Sequence, residues 1–454
     1  MHRYGLRQGP GSAAFEEPVV LLPLFVLLVA SLALTLPQRL RPLAALLLPL
    51  LTLSMAWTTE GAGWRLFYTS VWLLYALKGS ILLRRPTSYV ASMSRLGLLL
   101  YLTVWPGMDP EPLERRGAEI SLEGRWFVQG WVTMLLGVVG LAAMPLLGLD
   151  SSWLGIVGVA TTVHLGYSDV LSALIRWLGF PVRRLFDNPL SSLTLREFWS
   201  VRWNRPFVEM NKVLFLPLLS PWMGRKAAVT GAFVVSGVLH ELAISLPVKA
   251  GWGGPLFYFA FQALGMRLQK SDSRLFTWLW LLAPVPLLFH APFRQDLIAP
   301  LLQQIAQLPM LASPEACLST LLWLAGCGHF LVLAASFQVP HRLGWHSELQ
   351  LLRPLNRKLL WVYGGFIVGM ITSFGALLLK LRPLMLAGET GSVYLLGLIA
   401  LFWTARIVVD AIVFEHDDWP QGPEFVVGHT MLTSLFVFIT ATCWWALLAN
   451  GAAL

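Results

Sequence analysis

The chain has 454 residues, 56% of them hydrophobic and 13% charged, with a formal net charge of +9. A water-soluble domain carries about 25% charged residues, so this composition excludes a soluble enzyme, a disordered chain and a fibrous protein. Nine windows of eighteen or more residues contain no Asp, Glu, Lys or Arg: 18–38, 42–59, 126–149, 151–168, 275–293, 297–314, 316–341, 359–379 and 425–454. A helix crosses the hydrocarbon core with about 20 apolar residues, and runs such as Trp131–Leu147 lack the alternation of a β-barrel strand. The expected fold is an all-α integral membrane bundle of about 11–13 transmembrane helices.

In chain order, helices are expected near 18–36, 42–57, 65–83, 127–147, 153–178, 227–247, 253–268 and 275–292, with Pro37, Pro42, Pro86, Pro106 and Pro181 at their ends. Arg3 and Arg7 precede the first apolar run, which is long and reads as a retained anchor. Residues 96–106 are apolar but too short to span, and 107–125 form a mixed-charge connection. The stretch 179–226 is basic, aromatic and amphipathic, broken by Pro189, Pro206, Pro217 and Pro221, and reads as interfacial or re-entrant. A Gln- and Pro-containing stretch at 295–315 divides an N-terminal unit (1–295) from a C-terminal four-helix unit (316–454) with spans near 316–336, 360–380, 392–413 and 425–448. Cys317, Cys327 and Cys443 lie in apolar runs without metal-ligand spacing and read as small hydrophobes.

Charge is unevenly placed. Residues 176–226 hold nine basic residues and three acidic ones, so this segment supplies +6 of the net +9. The positive-inside tendency puts it on the cytoplasmic side. Two uses remain open: orientation together with contact to anionic lipid, or docking of a phosphate-bearing cytosolic substrate. Nucleic acid is a poor partner for basic residues lying between membrane spans.

Ionisable groups inside apolar helices are costly and mark functional candidates. In Ala227–Leu246 the only ones are His240 and Glu241. Ser236 and Gly237, four and three residues before His240, share its helix face. Glu241 projects about 100° away from His240 and does not simply orient it. A histidine in an apolar site tends to stay neutral, as a general base requires; packing by an interhelical hydrogen bond is the competing reading. The second feature, Leu195–Arg205, carries Trp199, Trp203, Arg196, Arg202, Arg205 and Asn204 after Leu185-Phe186-Asp187-Asn188-Pro189. Alone, it reads as an interfacial aromatic belt with snorkelling arginines.

Together these segments resemble the membrane-bound O-acyltransferase family, in its wax-synthase-like branch. The resemblance rests on L-F-D-N-P, then R-E-F-W-S-V-R-W-N, then S-G-V-L-H-E with His240 36 residues after Asn204, and more weakly on W-P-G-M at Trp105–Met108. It covers roughly residues 20–292 and implies His240 as the catalytic residue assisted by Asn204. The implied reaction is acyl transfer from acyl-coenzyme A, as co-substrate, to the hydroxyl of a lipid alcohol, with no metal or bound cofactor. Arg183, Arg184, Arg202 and Arg205 would hold the coenzyme's phosphates, and Trp199, Trp203, Ser236, Gly237 and Glu241 would line the substrate site. Ser200-Val201 stand where such proteins often have Gly-Arg, which leaves the loop's substrate contacts open.

The resemblance does not extend to residues 316–454. Arg406 and Asp410 are spaced to pair on one helix face, and His416-Asp417-Asp418 reads as a solvated helix end rather than a metal site. A transporter or lipid flippase with His240, Glu241, Arg406 and Asp410 along a pathway is the alternative; it requires inverted repeats, and none is evident.

Overall fold

The computed structural model describes residues 17–117, 123–415 and 422–451, and every described regular element is helical. Nine helices among the described residues are long and apolar enough to cross a membrane, or ten if the bent pair Arg274–Leu288 and Ala291–Ala306 is one span. This is an all-α polytopic membrane protein. The count lies below the sequence expectation at three segments, the first being the expected span near 18–36, where the described apolar helix Leu21–Thr35 falls short of a span. Gly254–Leu268 has 15 residues, about 22 Å of helix against about 30 Å of hydrocarbon. The 275–293 window is interrupted at Pro284 and again at His290, where Arg274–Leu288 and Ala291–Ala306 bend by 72° to one another. Outward leucines such as Leu43, Leu46, Leu47, Leu50 and Leu51 are exposed, as expected where lipid is the solvent.

The chain forms two compact units, one of residues up to 141 with 150–302, the other of 142–149 with 303 onward. In the first, Gln38–Thr58 packs on Ala62–Arg84 around Phe25, Tyr68, Trp72 and Tyr101. Gly124–Leu146 and Ser152–Trp177 meet backbone to backbone: a Cβ on Gly166 would lie 2.4 Å from the Met134 amide, and one on Gly137 2.7 Å from that of Thr162. Small residues permit such approach in membranes, where packing replaces the hydrophobic effect.

In the second unit, Pro314–Ser336 packs on Pro354–Leu386 and Pro423–Gly451, and Thr390–Ile412 packs on Pro423–Gly451. Its buried His329 bonds the Ala325 carbonyl through Nδ1 (2.7 Å) and accepts the Trp403 indole N–H at Nε2 (2.9 Å). Arg406 pairs with Asp410 (3.0 Å). Residues 416–418 lie outside the described residues.

Candidate active site

His240 ends the straight part of the span Ala227–Val248, just before a π-helical turn at Glu241–Ser245. Its Nδ1 lies 2.7 Å from the Ser236 carbonyl. A carbonyl only accepts, so Nδ1 carries the hydrogen and, in the neutral ring, Nε2 keeps the lone pair. No other hydrogen bond engages this ring among the described residues. His329 makes the same bond four residues back but has its second nitrogen occupied. His240 has the chemistry of a base, whereas His329 has that of a satisfied core residue.

The imidazole sits between Phe259 (ring centroids 4.3 Å) and Phe207 (5.5 Å). Phe259 belongs to Gly254–Leu268, which returns beside the His240 helix through Gly251 and Gly253, both at positive φ. Glu241 secures that return: Oε1 accepts the amides of Gly253 (2.9 Å) and Leu256 (3.1 Å) at the helix N-terminus, where a carboxylate also meets the helix dipole favourably. Its Oε2 is buried with no partner among the described residues. Gly237 permits the contact, because a Cβ there would lie 2.8 Å from Leu256 Cδ1 and 2.9 Å from its Cα. Gly237→Ala is therefore expected to cost about 1–3 kcal/mol and to lower the thermal unfolding temperature measured in nanodiscs.

Asn204 has φ 46° and leads the turn from Phe198–Arg202 into the helix Arg205–Met210. Asparagine tolerates this left-handed conformation better than most residues. Its carbonyl accepts the Phe207 amide (2.9 Å), so it stands one turn from the ring that touches His240. No hydrogen bond joins the Asn204 and His240 side chains, and the Asn204 amide group has no partner among the described residues. Trp199 contacts Phe259 and donates to Gln262 (3.4 Å), and Trp203 packs on Phe186 and Phe198.

The four arginines expected to hold phosphates divide. Arg184 forks onto Asp169 and lies 3.8 Å from Asp187. Arg202 binds Glu197 (2.6 Å) and donates to the Asp187 carbonyl (3.1 Å). The Leu193 amide and then Arg202 hold the Glu197 carboxyl below its ordinary range. Both arginines are thus committed, Arg184 to the preceding helix Ser168–Trp177 and Arg202 to the loop itself. Arg183 is exposed and Arg205 is partly exposed, and neither makes an ion pair among the described residues.

Trp105–Met108 is held from two sides. Lys78, fully buried, donates to the carbonyls of Tyr101 (2.5 Å) and Trp105. Glu209 accepts the amides of Met108 (3.1 Å) and Asp109 (3.2 Å), and burial, offset in part by these amides, raises its carboxyl above the ordinary value. Glu209 shares its short helix with Phe207, so the W-P-G-M turn braces the element beside His240. The sequence reading passed over Lys78, Glu209, Phe207, Phe259 and His164, whose ring lies 5.4 Å from that of Phe186 and 6.5 Å from that of Trp203. For His164 a signal existed: it is a histidine inside the charge-free window 151–168. Among the described residues no group of three or more His, Cys, Asp or Glu could hold a metal.

Residues 182–261 match the model of the Membrane bound O-acyl transferase family. A probable long-chain-alcohol O-fatty-acyltransferase of Arabidopsis thaliana is 37% identical over 73 residues, which is 14% of this chain and 21% of that protein. A diacylglycerol O-acyltransferase of Oryza sativa subsp. japonica is 30% identical over 100 residues, 22% and 17% of the two chains. An acyl-CoA–sterol O-acyltransferase of Arabidopsis thaliana is 36% identical over 64 residues, 13% and 19%. The chain thus matches about a fifth of the length of each curated relative.

Proposed function

We propose, from the match of residues 182–261 to the Membrane bound O-acyl transferase family model, that this chain transfers a fatty acyl group from acyl-CoA to the hydroxyl of a long-chain lipid alcohol. The observation that carries this reading is the single free ring nitrogen of His240, held between Phe207 and Phe259 inside the matched segment. The relatives act, by their names, on long-chain alcohols, diacylglycerol and sterols; what they share is O-acylation of a lipid hydroxyl.

In the proposed step, Nε2 of His240 takes the hydroxyl proton as the alcohol oxygen attacks the thioester carbonyl. The new C–O bond forms, the C–S bond breaks, and the imidazolium returns the proton to the departing thiolate. Ester and free coenzyme A result. Asn204 supplies an N–H to the developing oxyanion. Arg183 and Arg205 are the arginines left to meet the coenzyme's phosphates, on a basic segment that we assign to the cytoplasmic face.

The acceptor class is tested by incubating purified protein in nanodiscs with labelled acyl-CoA and separate alcohols: a long-chain primary alcohol, a sterol and diacylglycerol. Ester is expected chiefly from the long-chain alcohol; exclusive acylation of either other acceptor would reassign the branch. Asn204→Gly keeps the left-handed turn without strain while removing the amide, so stability should hold while kcat falls about 100-fold. An unchanged kcat would leave Asn204 a turn residue only.

A further inference from the structure

His164 is the thirteenth residue of the 26-residue span Ser152–Trp177, near mid-membrane depth, within a π-helical turn at Ala160–Tyr167. Such turns recur at functional sites, and an ionisable side chain at this depth is costly unless used. Neither ring nitrogen of His164 makes a hydrogen bond among the described residues, whereas His240, His290 and His329 each have at least one engaged. The neighbouring turns show where the ring points. Thr162 and Gly166 press against Gly137 and Met134 of the adjacent span, so His164, two residues from each, faces roughly the other way, toward Phe186 and Trp203.

His164 is exposed, and His240 is partly exposed. A continuous row of rings runs between them: His164 to Trp203 (6.5 Å), Trp203 to Phe198 (5.4 Å), Phe198 to Trp199 (5.0 Å), Trp199 to Phe259 (5.4 Å) and Phe259 to His240 (4.3 Å). In this wall Trp199 and Trp203 keep accessible surface that suits a hydrocarbon chain, whereas Phe198 and Phe259 are buried behind them.

We propose that His164 is a second substrate-contacting residue, which hydrogen-bonds the hydroxyl of the long-chain alcohol as it comes from the bilayer along this aromatic wall toward His240. The proposal rests on the acyltransferase reading of His240 and adds a determinant of acceptor recognition. A neutral imidazole donates through one nitrogen and accepts through the other, matching a hydroxyl, which is the only polar group of such a lipid.

The test uses the full chain in nanodiscs. His164→Phe keeps the ring contacts and removes the hydrogen bond; His164→Gln does the reverse. We expect His164→Phe to raise KM for a long-chain alcohol about tenfold while KM for acyl-CoA stays unchanged, and His164→Gln to restore most of the loss. Normal behaviour of His164→Phe with impairment of His164→Gln would show a packing role and overturn the proposal. A second readout does not depend on turnover: photocapture of a diazirine-bearing long-chain alcohol on the peptide containing residues 152–177. Capture by wild type and His240→Ala, lost in His164→Phe, supports the proposal even if no ester forms, in which case the His240 reading alone fails. Absence of capture in wild type overturns the proposal even where ester forms.

Discussion

Replacing His240 by alanine is expected to lower ester formation by roughly 10²–10⁴-fold, the range of a lost general base. The expectation follows from valence. The Ser236 carbonyl at 2.7 Å requires a hydrogen on Nδ1, so the neutral ring presents its lone pair at Nε2, where no donor among the described residues competes. Substitution by glutamine fills more of the space but supplies no base, and should lose as much activity. Since the ring packs on Phe207 and Phe259, rates are to be compared per folded molecule, using size-exclusion profiles and thermal unfolding of the same preparations. His329→Ala is the matched control: it removes an imidazole bonded in the same way to the carbonyl four residues back, but one already engaged by Trp403. It should lower stability and leave activity per folded molecule intact.

The largest structural effect is expected at Asp169. The Arg184 and Asp169 side chains are 14% and 6% exposed, and they form a forked pair beside Trp126. Removing the carboxylate strands a largely buried guanidinium, which costs about 3–5 kcal/mol. Asp187, 3.8 Å from Arg184, offsets part of this, so Asp169→Ala should fall near the low end, about 3 kcal/mol. The double change Asp169→Leu with Arg184→Met, which replaces both charges by apolar groups, should recover most of the loss. Thermal unfolding in nanodiscs reads both. The pair ties Ser152–Trp177 to the segment that leads to Asn204, so Asp169→Ala should also expose residues 182–205 to limited proteolysis; a single variant as damaging as the double would contradict this account.

Membrane class and most spans were legible in the sequence because charge-free length is a direct consequence of the bilayer's low polarity. The exceptions are informative. His290 lay in plain view within a charge-free window, but composition reports apolarity and not straightness, and the chain bends by 72° there, between Leu288 and Ala291. His240 was legible because it and Glu241 are the only ionisable residues of their run. Its ring neighbours were not, since Phe207 and Phe259 come from elements 33 residues before and 19 residues after it and meet it only through tertiary packing. The arginines were legible as charge but not as partners: Arg184 is consumed by Asp169 on a preceding helix and Arg202 by Glu197 within its own loop. His164 stands alone in its charge-free window, without a neighbouring ionisable residue such as Glu241, and its contacts with Phe186 and Trp203 arise only through tertiary packing.

The account is tested most directly by following ester and free coenzyme A together, from labelled acyl-CoA and a long-chain alcohol, with wild type and His240→Ala in the same nanodisc lipid. It predicts that wild type forms ester and coenzyme A in equal amounts while His240→Ala, folded, forms neither above background. Equal ester formation by the two proteins would contradict it.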